Sequence, residues 1–79
     1  MPLQIFLKAT LRQYVSGYDP YNGFSWEVPT GTTVAQVIAR LGLAAPEVTL
    51  IMVDGSRREA DFVLQGNERL GLFPPMGGG

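Results

Sequence analysis

The sequence predicts an α+β fold, a mixed sheet of four to five strands with one main helix packed across it. Three observations carry this prediction. Short runs of alternating apolar and polar residues stand near both ends of the chain and in its middle. One segment, Thr33 to Gly42, has a helical period with both a start and a stop signal. The order is strand, strand, helix, strand, short segment, strand, so one helix and one sheet can each bury a single face against the other. With 79 residues the chain is expected to be one domain. A domain of this size buries only about 60% of its unfolded surface, which leaves room for one core and little room for a deep pocket.

Leu3 to Thr10 reads as the first strand. Leu3, Ile5 and Leu7 share the face expected to point inward, and Gln4, Phe6 and Lys8 share the other. Leu11 to Gly23 is a connection marked by Gly17, Asp19-Pro20 and Asn22-Gly23. Its tyrosines, Tyr14, Tyr18 and Tyr21, are candidates to cap the edge of the core. Phe24, Trp26 and Val28 alternate with Ser25 and Glu27 as a second, half-buried strand, which Pro29 ends. The helix starts at Thr33 as N-cap, with Gln36 completing a capping box. Val34, Val37, Ile38 and Leu41 make its apolar face; Gly42 is a left-handed stop and Pro46 prevents resumption.

Val48 to Val53 is a run of apolar and β-branched residues that reads as a mostly buried strand. Asp54-Gly55 is a turn, and Ser56 to Asp61 is a polar segment fit for a short edge. Phe62, Val63 and Leu64 anchor the next stretch. Gln65-Gly66-Asn67 is another turn, with Asn67 able to take φ > 0. Arg69 to Phe73 is the last strand, with Leu70 and Leu72 on one face and Gly71 and Phe73 on the other. First and last strands lying side by side would be parallel neighbours at the centre of the sheet, an arrangement that resembles the β-grasp fold of ubiquitin.

Composition narrows the function. The net charge is −1, and the only adjacent cationic pair, Arg57-Arg58, is followed closely by Glu59 and Asp61, so no basic stripe supports nucleic-acid binding. Cysteine and histidine are absent, which removes disulfides, a thiol nucleophile, histidine acid–base chemistry and a Cys/His zinc site. Asp54, Glu59 and Asp61 fit no metal-binding motif and read as a solvated turn. Gly17, Gly23, Gly31 and Gly42 are scattered turn residues and form no phosphate loop. No apolar run approaches the roughly 20 residues that span a bilayer, and Met1 to Gln4 lacks the marks of a secretory signal, so a soluble cytoplasmic protein is expected.

The sharpest local signal is Leu72-Phe73-Pro74-Pro75-Met76-Gly77-Gly78-Gly79. A Gly-rich end can be unselected fraying or an expression scar. Here the glycines continue directly from an apolar strand through a stiff Pro-Pro spacer, which favours a functional reading. Residues 1–75 are expected to form the folded body and 76–79 a flexible tail. A terminal glycine carboxylate is unhindered, so Gly79 can be presented to another enzyme's active site with the chemistry supplied in trans. Phe6 and Phe73, both on outward faces by alternation, would form one exposed apolar patch beside the exit of the tail. The alternative is that the 11–23 loop covers either ring.

With these residues in view, the chain resembles the MoaD/ThiS group of sulfur carriers, and within it the small subunit of molybdopterin synthase. Phe73-Pro74-Pro75, two residues, then Gly78-Gly79 is similar to that subunit's terminal signature; Gly77 stands where the family usually has a small or polar residue. Leu11-Arg12-Gln13, Thr33-Val34 and Val53-Asp54-Gly55 also match in kind. Gly66-Asn67-Glu68 and the loop Tyr18-Asp19-Pro20-Tyr21 depart from the usual pattern. The resemblance implies a ubiquitin-like carrier that is not itself an enzyme and binds no cofactor or metal. A partner adenylating enzyme would spend ATP to convert the Gly79 carboxylate to an acyl-adenylate, and a persulfide sulfur would displace AMP to leave a thiocarboxylate. The tail would then enter a large molybdopterin synthase subunit and donate sulfur to a pterin precursor. By this resemblance Gly79 is the reactive residue, and Gly78, Gly77, Pro75 and Pro74 position it; Phe73 and Phe6, from the patch beside the tail, and Met76 are the expected partner contacts. Other thiolation pathways (tungsten cofactor, tRNA, thiazole) share the same chemistry. A ubiquitin-like modifier conjugated through Gly79 would use the same tail, and a plain binding module would leave it inert.

Overall fold

The computed structural model describes residues 2–75. Five strands form one sheet: β1 (Leu3–Leu7), β2 (Phe24–Trp26), β3 (Leu50–Val53), β4 (Ser56–Arg58) and β5 (Arg69–Phe73), in the order β2-β1-β5-β3-β4. β5 is central, parallel to β1 and antiparallel to β3. The register aligns the inward residues in rows. Ile5, Leu70 and Val53 form one row, and Leu7, Leu72 and Ile51 form the next. All six are buried. The helix α1 (Val34–Leu41) closes this face by adding Val34, Val37 and Ile38 to the same core.

The helix forms as its sequence prescribes. Thr33 Oγ1 accepts from the backbone N–H of Gln36, and Gln36 Oε1 accepts from the backbone N–H of Thr33. Gly42 ends the helix at φ 83°, in the left-handed region where glycine carries no Cβ penalty. The sequence does not reveal what satisfies the other free N–H groups of the first turn. Val34 and Ala35 donate to the carbonyls of Phe62 and Ala60, so the 60–64 segment straps the start of the helix. Leu64 pins that strap into the core, and Phe62 packs against it, but Val63 is exposed.

Several boundaries differ from expectation for identifiable reasons. β1 stops at Leu7, not Thr10. The Lys8 N–H still donates to the Leu72 carbonyl, but the next donor along β5 would be Pro74, which has none. The Lys8 carbonyl instead accepts from Leu11 as Ala9 turns to φ 50° and opens a 3₁₀ helix (Ala9–Tyr14) that buries Leu11. β2 stops at Trp26, which lies opposite Leu3, the first residue of β1. A 3₁₀ turn (Ala45–Glu47) precedes β3, which is paired only from Leu50 onward. Asp54 and Gly55, both at positive φ, make the two-residue hairpin to β4.

The turn before β5 is also built differently. Positive φ falls on Gly66, at 113°, and not on Asn67. A Cβ on Gly66 would sit 2.9 Å from the Val28 carbonyl, so neither the dihedral nor the space admits a side chain. Glu68 is buried, and its carboxylate accepts from the backbone N–H groups of Gln65, Gly66 and Asn67 at 2.7, 2.9 and 3.1 Å. Burial pushes this carboxyl up. The backbone hydrogen bonds from Gln65, Gly66, Glu68 itself and Asn67 together outweigh it and hold the group below its ordinary value.

Candidate functional site: the exit of the last strand and the outer face of the sheet

The Leu70 and Leu72 side chains are fully buried, so β5 is anchored at the middle of the core. Its end is held from both sides. The Lys8 N–H donates to the Leu72 carbonyl at 3.0 Å, and the Thr49 N–H to the Phe73 carbonyl at 2.9 Å. Pro74 is buried and Pro75 exposed. The chain therefore leaves a rigid strand at a fixed place. The expected tail residues Met76, Gly77, Gly78 and Gly79 lie outside the described residues.

Phe6 and Phe73 share the outer face of the sheet, as alternation predicts. Phe6 is level with Gly71 across the β1–β5 pair, and Phe73 follows two residues on. The expected exposed patch of two rings is not what forms. Phe6 is only 8% exposed and Phe73 is half-buried. Three neighbours cover Phe6. The Arg69 guanidinium lies 4.9 Å from its ring centre, the Lys8 ammonium 5.5 Å away, and Gly23 packs against its edge. Lys8 also reaches toward Phe73, at 6.0 Å. A cation over an aromatic face is attracted to the ring and spreads its methylene stem across it.

What remains open on this face is a groove of about 600 Å³. Gly71, with no side chain, lies level with both Phe6 and Met52 and leaves its floor low. Phe6, Phe73 and Met52 supply apolar lining, Lys8 and Arg69 supply positive charge, and Tyr21 stands at its edge. The positions of Arg69 and Gly71 were available from the period of two; those of Met52 and Tyr21 needed the strand order and the loop path.

That loop is preorganised. The Asp19 carboxylate accepts from the N–H groups of Tyr21 and Asn22 and from the Asn22 side chain, and the Asp19 carbonyl accepts from Gly23. The backbone bond to Tyr21, then the Asn22 bonds, lower the Asp19 pKa against a small opposing effect of desolvation. Gln4 ties the loop to β1 through the Asn22 carbonyl. Gly23, at φ 64°, passes so close to the Ile5 carbonyl that any Cβ would collide with it. Of the three tyrosines expected at the core's edge, only Tyr18 does that job: its hydroxyl accepts from the Leu7 N–H at 2.7 Å, beyond the point where β1 pairs with Phe24, the first residue of β2. Tyr21 is 87% exposed and Tyr14 41%.

Among the described residues, no three His, Cys, Asp or Glu side chains gather as a metal site, and no helix is long and apolar enough to cross a membrane. Asp54, a candidate considered from sequence, instead accepts from the Arg69 N–H at 2.9 Å.

A five-stranded mixed sheet with a parallel central pair and one helix across it is the β-grasp fold. The SAMP1 structure from Haloferax volcanii superposes with a TM-score of 0.72 over 100% of both chains at 17% identity. A second structure, of the H. volcanii small archaeal modifier protein 1, gives 0.71 over 95% of this chain and 98% of that one at 16% identity. The ThiS family model matches residues 8–79, and the chain belongs to the ThiS family. No curated protein sequence matches it. Membership makes it a small non-catalytic carrier protein of a family whose members bind no cofactor and are activated by E1-like enzymes.

Proposed function

We propose that this chain is a sulfur carrier whose Gly79 carboxylate is activated and converted to a thiocarboxylate, and that it supplies sulfur for molybdopterin as the small subunit of a synthase. The observation that carries the reading is the continuity of β5 with the tail. A central strand whose inward Leu70 and Leu72 are fully buried is followed in the sequence by Pro74-Pro75, Met76 and Gly77-Gly78-Gly79, and the family match runs through the same residues. In this reading residues 1–75 are the body and 76–79 the delivery arm.

A Gly79 carboxylate oxygen attacks the α-phosphorus of ATP on the adenylating partner, and pyrophosphate leaves. A persulfide sulfur then attacks the acyl carbon and AMP leaves. A second thiol cleaves the sulfur–sulfur bond, forming a disulfide and releasing the thiocarboxylate. Gly78 and Gly77 allow passage through a narrow channel, since neither has a side chain. Pro74 and Pro75 limit the conformations the arm must give up on binding. Phe73 and Phe6, with Met76, contact the activating enzyme and the large synthase subunit; Phe6 does so through the wall of the groove, since its ring is covered. The cytoplasm supplies the ATP and the thiol donor this cycle needs.

Intact mass spectrometry after incubation with the adenylating enzyme, ATP and a persulfide donor tests the reading. Exchange of one oxygen for sulfur at the C-terminus is expected, and its absence sinks the carrier role in that system. Transfer to a pterin precursor with a large synthase subunit then separates molybdopterin, for a molybdenum or tungsten cofactor, from tRNA or thiazole pathways. A second reading, conjugation through Gly79 to protein lysines, draws on the likeness to a protein named a small modifier. Higher-mass covalent adducts on immunoblots that vanish on deletion of Gly79 would favour it.

A further inference from the structure

The exit of the chain at Pro74-Pro75 is walled by two segments far apart in sequence. Tyr14, at the end of the first 3₁₀ helix, stands on one side and Glu47, at the end of the second 3₁₀ turn, on the other. Both line the same cleft as Pro74 and Pro75, of about 270 Å³, and the Tyr14 hydroxyl donates to Glu47 Oε2 across it. The other carboxylate oxygen, Oε1, accepts from the Ala44 N–H at 2.9 Å, which fixes the orientation of Glu47 within its own turn. The first segment continues from β1 and the second leads toward β3, the two neighbours of β5. The hydrogen bond therefore joins the flanks of the central strand where that strand ends.

Proline sharpens the consequence. The two residues leaving the sheet have no N–H to donate, and among the described residues neither carbonyl accepts a backbone hydrogen bond, so the ladder does not set their direction. Packing against the walls must do so. We infer that the Tyr14–Glu47 hydrogen bond is a clamp that fixes the direction in which Pro75 leaves the body, and that the pair acts as positioning residues for delivery of the terminal carboxylate. The delivery part rests on the carrier reading above; the direction of Pro75 does not.

Two measurements on the full chain keep these parts distinguishable. The first is the residual dipolar coupling of the Pro75 Cα–Hα bond in a weakly aligned sample. It is expected to keep a sizeable, body-like value in the wild type and to change in Tyr14→Phe, while couplings in α1 stay the same. A value that Tyr14→Phe leaves unmoved overturns the clamp, whatever the protein does in cells. The second is adenylation kinetics with the adenylating enzyme that accepts the wild-type chain. Because a loosened arm must be ordered again on docking, Tyr14→Phe should raise KM for the carrier about three- to tenfold with kcat little changed. Glu47→Ala removes the partner, and the double variant with Tyr14→Phe should be no worse than the worse single one, as expected when two residues act as one unit. Additive losses, or a fall in kcat alone, overturn the positioning role. If the wild type gives no adenylate at all, the carrier reading fails, and the coupling alone decides the clamp.

Discussion

The two faces of the sheet differ more than their shared strands suggest. On β5, Leu70 and Leu72 point inward and are fully buried beneath α1, while Arg69, Gly71 and Phe73 point outward around an open groove. The inner face is sealed by one amphipathic helix whose side chains interlock with the sheet. Among the described residues the outer face has no covering layer of helix or sheet. It is partly closed by long cationic side chains and by a loop held through Asp19. Apolar interlocking makes the first face a source of stability. The second keeps aromatic surface half-covered by groups that can move aside, which suits a surface that meets partners.

The contrast is most severely tested on the inner face. Leu72→Ala should cost about 3–5 kcal/mol, the upper part of the range for a buried leucine, because rigid neighbours on both sides cannot collapse into the space. Chemical denaturation followed by the fluorescence of Trp26, the single tryptophan, would measure it. Phe6→Ala should cost less than its ring size suggests, about 2–3 kcal/mol, since Lys8 and Arg69 can settle into the gap. A loss equal to that of Leu72→Ala would erase the distinction between the faces.

Glu68 offers a pH test of the turn that feeds both faces. Its folded pKa lies below its ordinary value of 4.5, so the unfolded chain takes up the proton first as pH falls. Its stabilisation is complete above about 4.5 and is lost as pH drops through the lower folded value. Glu68→Gln should be less stable at neutral pH and should show a flatter acid profile than the wild type, read from denaturation midpoints at each pH.

The smallest stability change is expected at Gly71. A Cβ there would meet Phe73 at 3.6 Å and Met52 at 3.8 Å, which is ordinary contact, and its φ is not positive. Gly71→Ala should leave stability within about 0.5 kcal/mol, as for substitutions that break no special feature. Raising the floor of the groove should still weaken association with the activating enzyme, measured by titration calorimetry. Equal affinity for both chains would remove the groove from the partner surface.

Much of this architecture was legible in the residues themselves. The period of two separated Leu70 and Leu72 from Gly71 and Phe73, and Thr33, Gln36 and Gly42 marked the ends of the helix, because alternation, capping and left-handed stops depend on neighbours a few positions away. The same local logic joined β5 to Pro74-Pro75 and to the glycines. Tertiary structure alone decided the covering of Phe6, the burial of Glu68 against its turn, and the meeting of Tyr14 with Glu47. Each depends on a path closed by distant segments. Loop 11–23 must fold back over β1, Gly66 must pass under the Val28 carbonyl, and two 3₁₀ turns must converge on the end of β5. Which side chain a long loop brings to a surface follows from where its ends are held, and those ends are fixed only when the sheet has formed.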